Sequence, residues 1–389
     1  MIQEQRLKDL LLELVQIDSL SLREGKIARR LKQEMESLGG LARIDDAGER
    51  VGGDTGNLIV HFPGNVPRTL PILLSAHMDT VKPGEGVVPV LDGNVLRSDG
   101  RTVLGGDDKS GVAIICEVLR VLKENQVPHS DIDVVFTICE EVGLLGAKCL
   151  DVSKLKARFG LVLDSDSVGF LFTKAPAANH VEFEIQGLEA HAGVCPERGV
   201  SAIQVAAAGI ANMKLGRVDD DTTANLGFIE GGTAINVIPN SVSLRGEARS
   251  HSEEKLEQQI QDMTRCLEEA ASSYALKIDG NVFLPKIEAK VERQYDRMDL
   301  SNESPIVKLV HSAGQKLGMQ VETLATGGGC DANVFNKKGV EVANLSTGMR
   351  DIHTVKEWLD LNDLYTSARI VFEIVRLNAV ADLATSLKG

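Results

Sequence analysis

The 389-residue chain has no apolar stretch that approaches the roughly 18–20 residues needed to span a bilayer. Its best runs, Leu70 to Ala76 and Gly111 to Leu122, are too short or interrupted, so no membrane-spanning helix is expected. Positive charge is scarce too: 42 Lys+Arg stand against 56 Asp+Glu, a formal net charge of −14, and no basic run or basic helix breaks that balance. Such a surface repels phosphate backbones and anionic lipid, which argues against nucleic acid and membranes as partners. Cysteine is sparse: Cys116, Cys139, Cys149, Cys195, Cys266 and Cys330 are scattered without a C-x-x-C pair. A chain of this length needs no disulfide framework, and free thiols are expected. The opening Met1-Ile2-Gln3-Glu4-Gln5-Arg6 lacks the small-residue cleavage site of a signal peptide, so a cytoplasmic location is expected. There is also no G-x-S-x-G elbow, no G-x-x-x-x-G-K-[ST] loop and no H-E-x-x-H.

What remains is an ordinary globular composition, 43% hydrophobic and 25% charged, long enough for two domains with separate cores. Leu7, Leu10, Leu11, Leu14 and Val15 recur at helical spacing, and a second helix is expected from Glu24 to Leu38, stopped by Gly39-Gly40. Short apolar runs, Asn57 to Phe62, Leu70 to His77, Asp131 to Cys139 and Phe159 to Leu163, predict buried strands, with a helix from Asp108 between the second and third. After about Thr173 the pattern becomes a β-α-β-β-α-β series ending near Tyr295, the right size for a small sheet with helices on one face. Beyond Ser304 the earlier pattern returns: helix Pro305 to Leu317, strand Val340 to Leu345, helix Asp360 to Leu377. The expected architecture is α/β, one catalytic domain formed by residues 1–176 and 298–389 with an inserted module at 177–297.

Five acidic or histidine clusters fall at or near the ends of the predicted elements, where open α/β sheets place their sites. In Ser75-Ala76-His77-Met78-Asp79, His77 and Asp79, two apart, share one side of an extended segment. An imidazole can bind a metal through one nitrogen while a carboxylate orients the other. Gly105-Gly106-Asp107-Asp108-Lys109 brackets an acidic pair with glycines at a helix start, where an Asp also serves as a cap. Glu140-Glu141 follows a buried strand, and two like charges there need a cation or a proton to compensate them. Leu163-Asp164 and Asp351-Ile352-His353-Thr354 complete the set, which suits zinc or a similar divalent ion better than the all-oxygen sites of calcium or magnesium.

In order and spacing, Ala76-His77-Met78-Asp79-Thr80, Gly106-Asp107-Asp108-Lys109, Glu140-Glu141-Val142-Gly143, Leu163-Asp164 and Ile352-His353-Thr354 resemble the M20 family of dinuclear zinc metallopeptidases, peptidase T-like branch. The resemblance implies a central mixed sheet flanked by helices and an inserted α+β, ferredoxin-like lid or dimerisation domain. It implies two Zn2+, replaceable by Co2+ or Mn2+ in vitro. His77 and Asp164 would hold one ion, Glu141 and His353 the other, and Asp107 would bridge them. Asp79 would orient His77. Glu140 would be the general base for a zinc-bridged hydroxide that attacks the peptide bond. In the inserted module, His191 in Glu189-Ala190-His191-Ala192-Gly193 would reach the reacting carbonyl, and Asn236 and Arg249 would contact the substrate. The resemblance implies a short peptide substrate, cleaved as by a tripeptide aminopeptidase, and, since lid-to-lid pairing is common in that family, a homodimer through the lid. Gly327-Gly328-Gly329-Cys330-Asp331-Ala332 departs from the branch pattern Arg-Gly-Gly-Thr-Asp-Gly. An M20 dipeptidase or N-acyl-amino-acid deacylase is therefore the alternative, with a non-catalytic metal-binding protein behind both.

Overall fold

The computed structural model describes residues 1–380; residues 381–389 of the expected catalytic segment lie outside the described residues. The chain forms two compact units, one of Met1–Lys174, Met298–Thr326 and the segment from Cys330 onward, the other of Ala175–Arg297 with Gly327–Gly329.

In the first unit a mixed sheet runs in the order Leu41–Ile44, Leu58–Phe62, Ile132–Thr137, Ile72–His77, Phe159–Val162, Glu341–Leu345, Phe170–Ala175, Met298–Asp299, and Glu322–Ala325 joins the Phe170–Ala175 strand. Four adjacent strands, from Ile132–Thr137 to Glu341–Leu345, are parallel. Their carboxyl ends therefore lie along one edge, and the chain leaves each of them into a polar cluster. Ile72–His77 and Ile132–Thr137 are buried at every position, which explains why their sequences lack the alternation of a half-exposed strand.

Helices Glu4–Val15, Gly106–Glu124 and Leu361–Val380 pack together, and Gly106–Glu124 lies against the Ile72–His77 strand. The first buries Leu7, Leu10, Leu11, Leu14 and Val15, each contributing about 1.5–3 kcal/mol relative to exposure. The helix expected from Asp108 begins within Gly106–Glu124, but Asp107 (φ −81°, ψ 104°) and Asp108 (φ −117°, ψ 33°) are not helical, and the bond between them is cis. The capping reading therefore holds for one member of the pair: past the kink, Asp108 Oδ1 accepts the Gly111 N–H three residues on at 3.2 Å, whereas Asp107 turns its carboxylate to His77. The second expected helix runs Gly25–Ser37, with Glu24 just outside it.

The sequence reading missed a small sheet of Pro89–Asp92, Val95–Ser98, Trp358–Asp360 and Met349–Arg350. Its strands are two to four residues long and partly exposed, too short to show a period. It ties the chain that leads into Gly105 to the loop that carries His353.

The second unit has the expected β-α-β-β-α-β order. Its strands Thr222–Gly231, Ser241–Ser250, Ala177–Gln186 and Lys286–Tyr295 lie side by side, all antiparallel, with the short Gly216–Arg217 at one edge. Helices Ala202–Asn212 and Glu253–Ser273 close one core with Val181, Phe183, Ile185, Val242 and Leu244, the ferredoxin-like arrangement.

Candidate metal centre

His77 ends its strand with its ring buried. Nδ1 lies 2.9 Å from the main-chain oxygen of Asp79, and because a carbonyl only accepts, Nδ1 carries the proton. The other nitrogen, Nε2, faces carboxylates: Asp107 Oδ1 at 3.0 Å and Asp164 Oδ1 at 3.9 Å. On the opposite side of Asp107, His353 Nε2 lies 3.0 Å from Oδ2, and 2.9 Å from Glu141 Oε2. One carboxylate thus stands between two imidazoles and offers one oxygen to each.

Five elements deliver these groups. His77 ends one of three neighbouring parallel strands, and Glu141 and Asp164 follow the other two. Asp107 is brought in by the kinked start of its helix, where Glu357 accepts the N–H groups of Gly105 at 2.8 Å and Asp107 at 3.0 Å. His353 comes from the exposed loop between Met349–Arg350 and Trp358–Asp360, with φ +63° at His353 and +50° at Asp351. Asn344 clamps Asp164 by main-chain bonds in both directions, 3.0 and 2.6 Å.

Asp79 lies where it can orient His77, and it does more. Its carboxylate oxygen is 3.5 Å from His77 Nδ1, while the two oxygens accept the N–H of Glu140 at 2.9 Å, the N–H of Glu141 at 3.2 Å and the Ser21 hydroxyl at 2.7 Å. Its main-chain oxygen, with the carboxylate beside it, orients the imidazole, and the carboxylate also holds the Glu140-Glu141 turn.

The electrostatics call for a cation. Burial raises the carboxyl groups of Glu140, Asp164 and Asp108 well above the usual range, and that of Glu141 to a lesser degree. Burial works against a charged His77, yet its bonds to Asp107 and Asp79 hold the ring well above the ordinary histidine value. Hydrogen bonds to Asp107 and Glu141 raise His353 to about 10. Asp107 is held low: burial opposes its charge, and the bonds from His353 and His77 outweigh that. Without a metal the cluster balances its charges with protons on imidazoles and buried acids. Each Nε2 that faces an acceptor would otherwise need a divalent ion, so the donor set fits one. His77, Asp107 and Glu141, and separately His77, Asp108 and Asp164, present ligand atoms within 4.8 Å of one another.

Asp108 was not among the expected ligands. Its carboxylate accepts the N–H of His77 and of Gly111, both at 3.2 Å. Asp331, Glu357 and Glu24 were also missed. Asp331 is buried, bonded by the Thr137 hydroxyl and pushed up to about 6 by burial. Only its place beside the Gly327-Gly328-Gly329 run could have marked it. His191, Asn236 and Arg249 belong to the second unit. His191 bridges to Val237, Ala192 N–H donates to the Asn236 carbonyl at 2.9 Å, and Arg249 makes a bidentate pair with Glu247 at 2.9 and 3.0 Å. Among the described residues no helix is long and apolar enough to cross a membrane.

Residues 73–377 match the family described as Peptidase family M20/M25/M40. The Bacillus subtilis protein YqjE is 40% identical over 376 residues, which cover 96% of this chain and 99% of that one. The solved structure of the aminopeptidase PepT from Bacillus cereus is 38% identical, with a TM-score of 0.88 and coverage of 98% of this chain and all of that one (100%). A tripeptidase from Staphylococcus aureus is also 38% identical, with a TM-score of 0.92 and coverage of 98% and 100%. Matched across most of its length, with relatives at 38–40% identity and a paired imidazole and carboxylate centre at the sheet edge, the chain belongs to peptidase family M20/M25/M40.

Proposed function

We propose that the protein is a metal-dependent peptidase that hydrolyses short peptides in the manner of a tripeptide aminopeptidase. The observation that carries this reading is the Asp107 carboxylate, which offers one oxygen to each of two imidazole nitrogens at 3.0 Å. The relatives called aminopeptidase and tripeptidase support the substrate class. In this reading His77 and Asp164 would hold one divalent ion, Zn2+ by the resemblance, Glu141 and His353 would hold a second, and Asp107 would serve both. Bound divalent ions would acidify a water and polarise the scissile carbonyl.

The chain's own residues do the rest. Glu140 sits beside the ligand Glu141 with its carboxyl buried and raised, a group able to take a proton from the attacking water and return it to the leaving amine. Asp79 holds that carboxyl's main chain in place. The reading gives His191 the role of stabilising charge on the carbonyl oxygen, and Asn236 and Arg249 that of binding substrate polar groups; Arg249 would exchange its Glu247 partner for a peptide carboxylate. It also includes a cytoplasmic location and a homodimer through the second unit, the latter tested by sedimentation equilibrium.

The test is hydrolysis of tripeptides, dipeptides and N-acetyl amino acids by metal-stripped protein before and after zinc, cobalt or manganese is added. Tripeptides should be preferred, and only with metal. Glu140→Gln should keep its metal and lose most turnover, whereas His353→Ala should lose metal as well. Normal turnover by Glu140→Gln would overturn the mechanism. Preference for N-acetyl amino acids or dipeptides would favour the alternative raised by Gly327 and Cys330, which stand where the peptidase T pattern has Arg and Thr.

A further inference from the structure

Three consecutive main-chain N–H groups, those of Cys139, Glu140 and Glu141, are bonded by carboxylates from outside their loop. Asp79 takes the last two. The first goes to Glu24 Oε1 at 3.0 Å, and the Cys139 thiol lies 3.3 Å from the same oxygen. Glu24 Oε1 also accepts the Leu22 N–H at 3.1 Å. Glu24 is wholly buried, and its second oxygen has no partner among the described residues. A carboxyl group in that position costs desolvation that an apolar side chain would not, so packing alone does not explain it.

Nor does helix capping. Glu24 immediately precedes helix Gly25–Ser37, but its side chain makes no cap bond; the Gly25 N–H is taken by Asp54 at 2.8 Å. The conformation of Cys139 supplies the reason. Its φ is +52°, a left-handed value that costs energy for a residue with a Cβ. The turn is needed there because the strand ends at Thr137, and the chain must reverse within a few residues to aim Glu140 and Glu141 at the centre. The segment around Glu24 is itself anchored beside that centre. Ser21 bonds Asp79, and the Thr80 N–H donates to the Ser19 carbonyl at 2.9 Å.

We propose that Glu24 is a positioning residue for hydrolysis: through the Cys139 N–H it fixes the left-handed turn that sets the Glu140 carboxyl at its working place. Glu24, remote in sequence from every metal motif, thereby supports the Glu140 turn from outside, touching neither substrate nor metal. The inference rests on the reading of Glu140 as the proton carrier.

The experiment measures kcat, KM and metal content for metal-loaded wild type, Glu24→Gln, Glu24→Ala, Glu24→Ala with Cys139→Gly, and Glu140→Gln. Glu24→Gln keeps an acceptor oxygen for the Cys139 N–H and should stay within about threefold of the wild-type kcat. Glu24→Ala should lose about 10–100-fold in kcat with KM and metal content unchanged, the range for a group acting through another. Adding Cys139→Gly, which accepts a positive φ without help, should restore at least about tenfold of that loss. Should Glu24→Ala not fold, Glu24→Met, which fills the space without an acceptor, is judged by the same numbers. A kcat within about threefold of wild type in the Ala or Met variant overturns the inference, as does a loss confined to thermal stability or one that Cys139→Gly leaves untouched. Full activity of Glu140→Gln overturns the functional reading instead, so the two failures are distinguishable.

Discussion

Replacing Asp79 by Asn removes the charge from a carboxylate while leaving its size and main chain alone. Three donors lose their anionic acceptor: the N–H of Glu140, the N–H of Glu141 and the Ser21 hydroxyl, at 2.9, 3.2 and 2.7 Å. An amide retains one acceptor oxygen, and its NH2 group then faces at least one of those donors. Hydrogen bonds to charged groups contribute about 1.5–3 kcal/mol each, and a buried donor left without an acceptor costs about 1–3 kcal/mol. Asp79→Asn should therefore lose roughly 3–5 kcal/mol of folding stability, a large share of the 5–15 kcal/mol usual for a domain. Urea unfolding of metal-free protein at neutral pH reads this as a lower midpoint at unchanged slope. The His77 ring keeps its bond to the Asp79 carbonyl, which the substitution does not alter, whereas the Glu140-Glu141 turn loosens. In the metal-loaded enzyme kcat should thus fall about 10–100-fold while the metal bound through His77 is retained. A stability loss below about 1 kcal/mol would refute the three-bond account. A large loss of metal with normal kcat per loaded site would return Asp79 to the simple role of orienting His77.

The remaining predictions concern packing, charge and a reporter. A Cβ at Gly111 would lie 2.3 Å from the Leu163 carbonyl and 2.6 Å from Asp108 Oδ1, so Gly111→Ala should destabilise by about 1–3 kcal/mol or more and weaken metal binding, seen by thermal unfolding and metal titration. Lys109 is completely buried with one bond to the Ile17 carbonyl at 2.8 Å, and burial lowers its pKa from 10.5 to about 8. The folded state thus favours neutral lysine. Its contribution is fullest above 10.5 and falls as pH drops through 8, by roughly 3 kcal/mol, so Lys109→Met should lose that slope in a comparison of unfolding free energies between pH 8 and 10.5. Trp358, the single tryptophan, donates to Asp351 at 3.1 Å, two residues from His353. Metal titration should change its fluorescence with the stoichiometry of His353 loading, and His353→Ala should abolish that change.

Much of this was legible because buried parallel strands are hydrophobic throughout and end abruptly. The runs around Leu73, Val134 and Leu161 stand out without alternation, and the polar residue that follows each is conspicuous. The β-α-β-β-α-β series was legible for a related reason: half-exposed strands and amphipathic helices keep their own periods. The small sheet below His353 was not, since strands of two to four residues have no period to detect. Glu24 was not legible either. Nothing local distinguishes a Glu before a helix from a solvated one, and its partner lies 115 positions away. The acidic pair Asp107-Asp108 sat between, visible as a motif but locally indistinguishable from a helix cap.

The sequence by itself determined which residue types end the strands, where the helices run and that the chain carries a paired histidine and carboxylate set, because those follow from local pattern and composition. Tertiary structure alone decided that the Asp79 side chain serves the Glu140-Glu141 turn, that Asp108 accepts the His77 N–H, and that Glu24 accepts the Cys139 N–H. Those facts depend on contacts between segments distant in the chain. Their energies come from burial and from hydrogen bonds to main-chain N–H groups, which every residue but proline carries and no sequence motif can mark.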